Sequence, residues 1–190
     1  MSDDDVALML AFAAGEEDAF VELYRRYRDR IVNFAARMLG DRARGEEAAQ
    51  DVFLKLYRTR DTYKPQSRFS TFVYRIATNH CLNQRSRVEH RVITAGADVE
   101  DAVADSVDQE RELVNRELQT ALSDALARLP DRQRAALLLV HYDGFSYREA
   151  ADALAVSQAA VKSLIHRSRA AMSTELAQWF EPSAEVEYAV

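Results

Sequence analysis

Phe145 to Arg169, FSYREAADALAVSQAAVKSLIHRSR, constrains this chain more than any other stretch. It reads as two short helices joined by a tight turn. Ser146 and Glu149 stand at the spacing of a capping box, in which the hydroxyl and the carboxylate each satisfy an amide that the first helical turn leaves open. Ala150, Ala151 and Leu154 give the first helix an apolar face. Ala155 and Val156 make the turn, and Ser157 suits the N-cap of the second helix. On that second helix Val161, Ile165, Ser168 and Met172 share one stripe, with Leu164 at its edge. Lys162, Ser163, His166 and Arg167 point elsewhere, flanked by Gln158 and Arg169. No acid occurs between Asp152 and Glu175. The pattern predicts a helix-turn-helix whose second helix enters a DNA major groove.

The overall charge of −6 sits awkwardly with nucleic-acid binding, but its distribution resolves the conflict. Residues 1–87 hold 15 basic and 13 acidic side chains, residues 88–112 hold 2 and 8, and residues 113–190 hold 8 and 10. The acidity is therefore concentrated in the middle. From Lys64 to Arg87 there are five basic residues and no acid. Phosphate contacts answer to local charge, so two modest basic surfaces separated by an acidic connector remain compatible with DNA. Tight binding by the free chain is not expected.

Five Gly, three Pro and a 48% hydrophobic share suit an all-α chain with packed cores. Helical spacing is expected over residues 4–14 and 18–39, ended by Gly40-Asp41, then over Gly45 to Tyr57 and Ser70 to Arg85, with a polar turn at residues 61–68. These segments make a first helical domain, residues 1–87. Residues 88–112 lack aromatic residues and firm periodicity and read as a linker, helical only towards its end. A second, smaller domain spans residues 113–178. It comprises an amphipathic helix stopped at Pro130, another helix over residues 131–142, and the helix-turn-helix. Residues 179–190 form an acidic, loose tail. A single cysteine, Cys81, excludes an internal disulfide framework. No apolar run long enough for a membrane and no signal peptide are read, so direct membrane insertion is not expected and the chain reads as cytoplasmic.

Two sets of motifs now resemble those of bacterial sigma factors of the extracytoplasmic-function (ECF) type, over about nine tenths of the chain. One set is Ala19-Phe20-x-x-Leu23-Tyr24, Glu47-x-x-x-Gln50-Asp51-Val52-Phe53-x-x-Leu56-Tyr57 and Phe69-Ser-Thr71-Phe72-x-Tyr74-Arg75-Ile76-Ala77-x-Asn79. The other is Leu129-Pro-Asp-Arg-Gln-Arg134, Tyr142-x-Gly144-Phe-Ser-Tyr147-x-Glu149-x-Ala151, Val161-Lys-Ser163 and His166-Arg167-x-Arg169. They resemble the family's second and fourth conserved regions, in order, with no globular domain between them.

The resemblance implies a protein that binds core RNA polymerase and directs initiation at promoter DNA. Its N-terminal domain would recognise and open the −10 element, its C-terminal domain would read the −35 element, and an anti-sigma factor would control it. Gln50, Asp51, Phe53, Leu54 and Lys55 are then the expected polymerase contacts. Arg68, Phe69, Ser70, Thr71, Arg75, Asn79, Asn83 and Arg85 are expected at the −10 strand, where rings, amides and basic groups can hold unstacked bases. Gln158, Lys162, Ser163, His166, Arg167 and Arg169 are expected at the −35 element. Four positions depart from the family pattern. Ala155 and Ala159 stand where Gly is frequent, Leu164 where Arg is frequent, and Asn83 where an acid is frequent.

Two other classes of function compete. A one-component regulator would pair the helix-turn-helix with a sensing or dimerisation domain, which residues 18–85 do not resemble. An enzyme would need a constellation that is missing. The four histidines show no metal spacing, and no phosphate loop or nucleophile elbow occurs. No catalytic residue, metal or cofactor is expected.

Overall fold

The computed structural model describes residues 4–92 and 109–180, all of whose regular structure is helical. The N-terminal domain contains α1 (Asp4–Ala13), α2 (Glu17–Leu39), α3 (Arg42–Arg58) and α4 (Phe69–Val92), with a single 3-10 turn at Arg60–Thr62. Gly40 ends α2 with φ 77°, a left-handed conformation that costs a glycine little, and its amide bonds to Ala36 O at 2.8 Å. Asp41 immediately caps α3, accepting from the Ala43 amide at 2.8 Å. The reversal is short enough to lay α3 back along α2.

The crossing of these two helices is very close. A Cβ built on Gly45 would lie 2.6 Å from the Ala36 amide nitrogen. Gly45 therefore sits inside α3, three residues past the Arg42 start, and not at the beginning of a helix as its sequence suggests. Leu23, Ile31, Phe34, Ala35, Met38, Ala48, Val52 and Leu56 fill the space between α2, α3 and α4, and all are essentially inaccessible. Phe12 of α1 closes one end against Phe20 and Tyr57, at ring separations of 4.8 and 5.3 Å. Cys81 is buried in the same core, which pushes its thiol up to about 12.

The C-terminal domain contains α5 (Gln109–Arg128), α6 (Asp131–Leu137), α7 (Tyr147–Leu154), α8 (Gln158–Glu175) and the short α9 (Ala177–Phe180). The helix expected over residues 131–142 is interrupted: Leu138–Tyr142 widens into a π turn, in which the Asp143 amide reaches Leu138 O at 3.0 Å. The capping box forms as read. Ser146 Oγ accepts from the Glu149 amide at 3.2 Å, and Glu149 Oε2 accepts from the Ser146 amide at 3.0 Å. Ala155 ends α7 at φ 52° and ψ 47°, and it is the one described residue other than glycine with positive φ. Trp179, expected in a loose tail, belongs to α9 and is half-buried. Residues 93–108, which make up most of the acidic connector, and residues 181–190 of the tail lie outside the described residues.

Arg134 is the largest fully buried side chain. Its Nε donates to Leu126 O at 2.6 Å, and Nη2 donates to Ala127 O and Leu129 O, so the guanidinium sits at the negative end of α5. Nη1 donates to Met38 O at 2.8 Å, at the end of α2. Burial, with Arg85 nearby, pulls Arg134 down to about 10, which leaves it charged at neutral pH. Ser168 of α8 donates to Gln133 O at 3.0 Å and completes the small domain. The two domains are in contact: α7 and α6 pack on α4, and α5 and α6 meet α2.

Candidate nucleic-acid and protein-binding surfaces

α8 is built with two faces. Val161, Ile165 and Ser168 are buried, while Gln158, Lys162, Ser163, His166, Arg167 and Arg169 are all exposed. Ser157 fixes the start of the helix by accepting from the Ala160 amide at 3.1 Å. Leu164, on the border, is half-buried and packs on the core. Arg169 Nη2 lies 3.1 Å from His141 Nε2. Burial, with this guanidinium adding to it, pushes His141 down, so the neutral ring accepts the bond. The result is an acid-free ridge of amide, hydroxyl, imidazole and cationic groups on a rigid helix.

α4 departs more from its sequence reading. Asn79 and Asn83 are exposed on one face, and Arg68 is exposed at the N-terminal end. Phe69, Ser70 and Thr71 are not exposed as a base-reading surface would be; they are 1%, 5% and 1% accessible. Phe69 turns into the core and meets Tyr27 edge-on at 5.0 Å. A ring in the first turn of a helix docked on two others gains more from burial than from solvent. Phe72 is half-buried between Phe69 and Tyr63, 5.0 Å from the latter. Arg75 is half-buried, with its Nε enclosed and unpartnered. Arg85 pairs with Asp131 of the other domain and donates to Met38 O at 3.3 Å.

α3 exposes Gln50, Asp51, Leu54 and Lys55. Phe53 faces the other way. It is 3% accessible and packs 4.8 Å from Tyr24 and 6.5 Å from Phe20, because it shares a stripe with Ala49, Val52 and Leu56 that faces α2. The sequence reading missed Tyr24 of α2, 37% exposed beside Phe53 and Gln50, and Val21 one turn before it on the same helix, 61% exposed. Their signal is apolar residues one helical turn from the stripe that packs inward. A cleft of about 60 Å³ opens beside them between Tyr24, Arg28, Glu46 and Gln50. Among the described residues no group of His, Cys, Asp or Glu is placed to hold a metal ion, and no helix is long and apolar enough to cross a membrane.

Two small helical domains, the second presenting a polar and basic helix from a helix-turn-helix, define a helix-turn-helix protein of the DNA-binding type. Comparison with known proteins makes this particular. Residues 23–92 match the family described as Sigma-70 region 2, and residues 119–172 match Sigma-70, region 4. The chain is 31% identical over 170 residues to ECF RNA polymerase sigma factor SigW of Bacillus subtilis (strain 168), spanning 85% of this chain and 91% of that one. It is 30% identical over 188 residues to ECF RNA polymerase sigma factor SigE of Mycolicibacterium smegmatis, spanning 97% and 73%. Among solved structures, CnrH in complex with the cytosolic domain of CnrY shares the fold with a TM-score of 0.70 at 22% identity, over 93% of this chain and 99% of that one. The sigma factor RpoE of Bartonella quintana, in complex with the anti-sigma factor NepR, gives 0.65 at 22% identity over 83% and 96%. The chain belongs to the ECF sigma factors of RNA polymerase.

Proposed function

We propose that the chain binds core RNA polymerase through α3 and carries it to promoters whose −35 element is read by α8 and whose −10 element is held and opened by α4. The observation that carries this is the division of α8. Six polar or basic side chains are exposed over three buried ones on a helix held by Ser157 and the α7 capping box. Lys162, Arg167 and Arg169 suit phosphate oxygens and guanine edges, and Gln158, Ser163 and His166 suit base donors and acceptors. On α4, exposed Asn79 and Asn83 with Arg75 and Arg68 suit unpaired bases and their backbone. Phe69, Ser70 and Thr71 shape the start of α4 from below. On α3, Gln50, Asp51, Leu54 and Lys55 with Val21 and Tyr24 of α2 form a mixed apolar and polar patch, while Phe53 supports it. We assign residues 1–87 and 113–178 to these two tasks. The chain itself catalyses nothing on this reading; it positions a partner enzyme in the cytoplasm.

An anti-sigma factor is the proposed regulator. Two proteins of the same fold, CnrH and RpoE, are solved with a second protein bound, in the latter case an anti-sigma factor. The test of the whole reading is transcription in vitro. Core polymerase with this protein, on a genomic template library, should give transcripts whose upstream sequences share two elements. Transcripts without any shared element, or none above core polymerase alone, would refute it.

A further inference from the structure

The reading of the helix-turn-helix leaves His141 without a role. It lies outside α8, on the π turn Leu138–Tyr142 that follows α6, and such turns recur at functional sites. It is exposed, and it stands beside the C-terminal half of α8, where Arg169 Nη2 lies 3.1 Å from its Nε2. A guanidinium has no acceptor, so Nε2 accepts and the hydrogen of the neutral ring is on Nδ1. Lys162, His166 and Arg169 recur at i, i+4 and i+7 on α8, all exposed, so the pair closes the end of one basic stripe.

The partners are an unusual match. An arginine that serves the fold takes a carboxylate or backbone carbonyls, as Arg128 does with Glu175 and Arg134 with Leu126 O. Arg169 has a neutral imidazole instead, and among the described residues no carboxylate pairs with either side chain. The surrounding charges supply no anion. α8 brings Arg169 itself; Asp143, two residues on, turns to Tyr74; and Arg37 of α2 lies over the neighbouring Tyr142 ring. Two exposed nitrogen groups thus converge from two elements, with no anion between them, at the end of the basic stripe. Resting on the role given above to α8, we propose that His141 and Arg169 form a clamp for one backbone phosphate of the duplex at the −35 element: the phosphate replaces Nε2 as the acceptor of Arg169, and the freed imidazole, now beside an anion, takes a proton from solvent and donates to a phosphate oxygen. Without DNA, burial and Arg169 keep the ring neutral. The phosphate opposes the field of Arg169, so the DNA-bound form holds the proton more tightly than the free form. Affinity then rises as pH falls through the bound value and levels off below the free one. At alkaline pH Arg169 holds the phosphate alone.

The test is the affinity of core polymerase carrying the full chain for a fluorescein-labelled duplex fragment of a promoter found in vitro. Wild type and His141→Gln are compared at each pH, so that the titration of the polymerase and of His166 cancels in their ratio. The ratio should lie near unity at about pH 8 and favour the wild type at least about threefold at about pH 6, on either side of the ordinary histidine range. At the acid pH the wild type should also lose affinity more steeply with salt, by up to about one in the double-logarithmic slope, because one more phosphate contact is made. His141→Lys places a permanent cation at the same exposed site. It should bind more tightly than His141→Gln at both pH values, with a constant ratio between the two. A ratio of wild type to His141→Gln that does not change with pH overturns the clamp. So does one that moves the other way, or a His141→Lys variant that binds no better than His141→Gln. If His141→Gln lowers the thermal melt, the comparison of wild type with His141→Lys decides: their affinities should converge towards acid pH, and a constant gap overturns the clamp. Lys162→Ala and Arg167→Ala are measured in parallel. If neither weakens promoter binding, the reading of α8 fails and the clamp with it. If either does while His141→Gln binds as wild type at acid pH, the clamp alone fails.

Discussion

Tyr74, midway along the long helix of the N-terminal domain, donates a hydrogen bond from its hydroxyl to Asp143, 69 residues further on at the foot of the helix-turn-helix. The bond joins two domains and leaves the second oxygen of Asp143 buried and unmet. Burial raises Asp143 above its ordinary value, against the opposing pull of Tyr74, Arg30 and Arg37, which face it from α4 and α2.

The sign of the resulting pH dependence is fixed. A raised value means that the docked domains hold a proton more tightly than separated ones. The stabilisation from this group is complete below the ordinary carboxylate value and is lost as pH rises through the raised one. Mild acidification should therefore hold the two domains together more firmly. Asp143→Asn keeps an acceptor for Tyr74 but removes the desolvated charge, so it should strengthen the contact between the domains at neutral pH and flatten the response to acid. Chemical denaturation of wild type and variant at neutral and mildly acidic pH checks both. An Asp143→Asn variant that is less stable than wild type at neutral pH would contradict the assignment.

Ala155 should gain from replacement by glycine. Its φ of 52° places a methyl group in the left-handed region, where an L-residue other than glycine pays about 1–2 kcal/mol. Ala155→Gly should raise the stability of the small domain by about 1 kcal/mol in chemical denaturation, since the αL strain relieved outweighs the extra freedom glycine has when unfolded.

Gly45 should tolerate nothing larger. Its added carbon would meet the backbone of Ala36, which cannot rotate away as a flexible side chain could. Gly45→Ala should cost about 1–3 kcal/mol by forcing α2 and α3 apart, and it should weaken binding to polymerase, because the exposed patch of α3 moves with the helix.

The two faces of α8 should separate cleanly. Arg167→Ala should leave the thermal melt close to wild type and reduce transcription from a promoter found in vitro, by about 1–3 kcal/mol if it holds a base. Ile165→Asp places an unpaired charge among buried apolar groups and should unfold the small domain. Equal melting losses in both would mean that the helix is turned differently.

Asn79→Ala tests the division of labour between helices. Exposed on α4, one residue from His80, whose Nε2 lies 3.6 Å from Asp51 of the α3 patch, it should reduce transcription from duplex promoters while leaving polymerase affinity within about twofold, as expected of a surface change outside the residues assigned to that interface. A premelted template should restore part of the loss. A matching fall in polymerase affinity would assign Asn79 to the other interface.

Local rules are readable in the chain, and long-range cover is not. Ser146, Glu149 and Ser157 announce their caps because each bond closes over three residues. Val161 and Ile165 announce the inner face of α8 because a helix on a small core buries one stripe. α4 obeys neither simplification. It is covered from two directions, and its second cover is polar, so apolar spacing shows only half of what is hidden. Arg68 finds Glu149 across 81 residues and Arg85 finds Asp131 across 46, distances at which no local pattern operates. Motif resemblance marks Phe53 and Phe69 as contacts without saying which way a ring points. Gly45 reads as a helix start because glycine more often punctuates a helix than permits two to touch.

Cys81 has a practical and a physiological consequence. A thiol pushed up to about 12 by burial stays protonated at neutral pH, and the thiolate is the species that reacts with peroxides and maleimides. Cysteines introduced at the surface can therefore carry spectroscopic labels while the native residue stays in place and silent. By the same chemistry, the buried Cys81 thiol is a poor target for oxidation while the N-terminal domain stays folded.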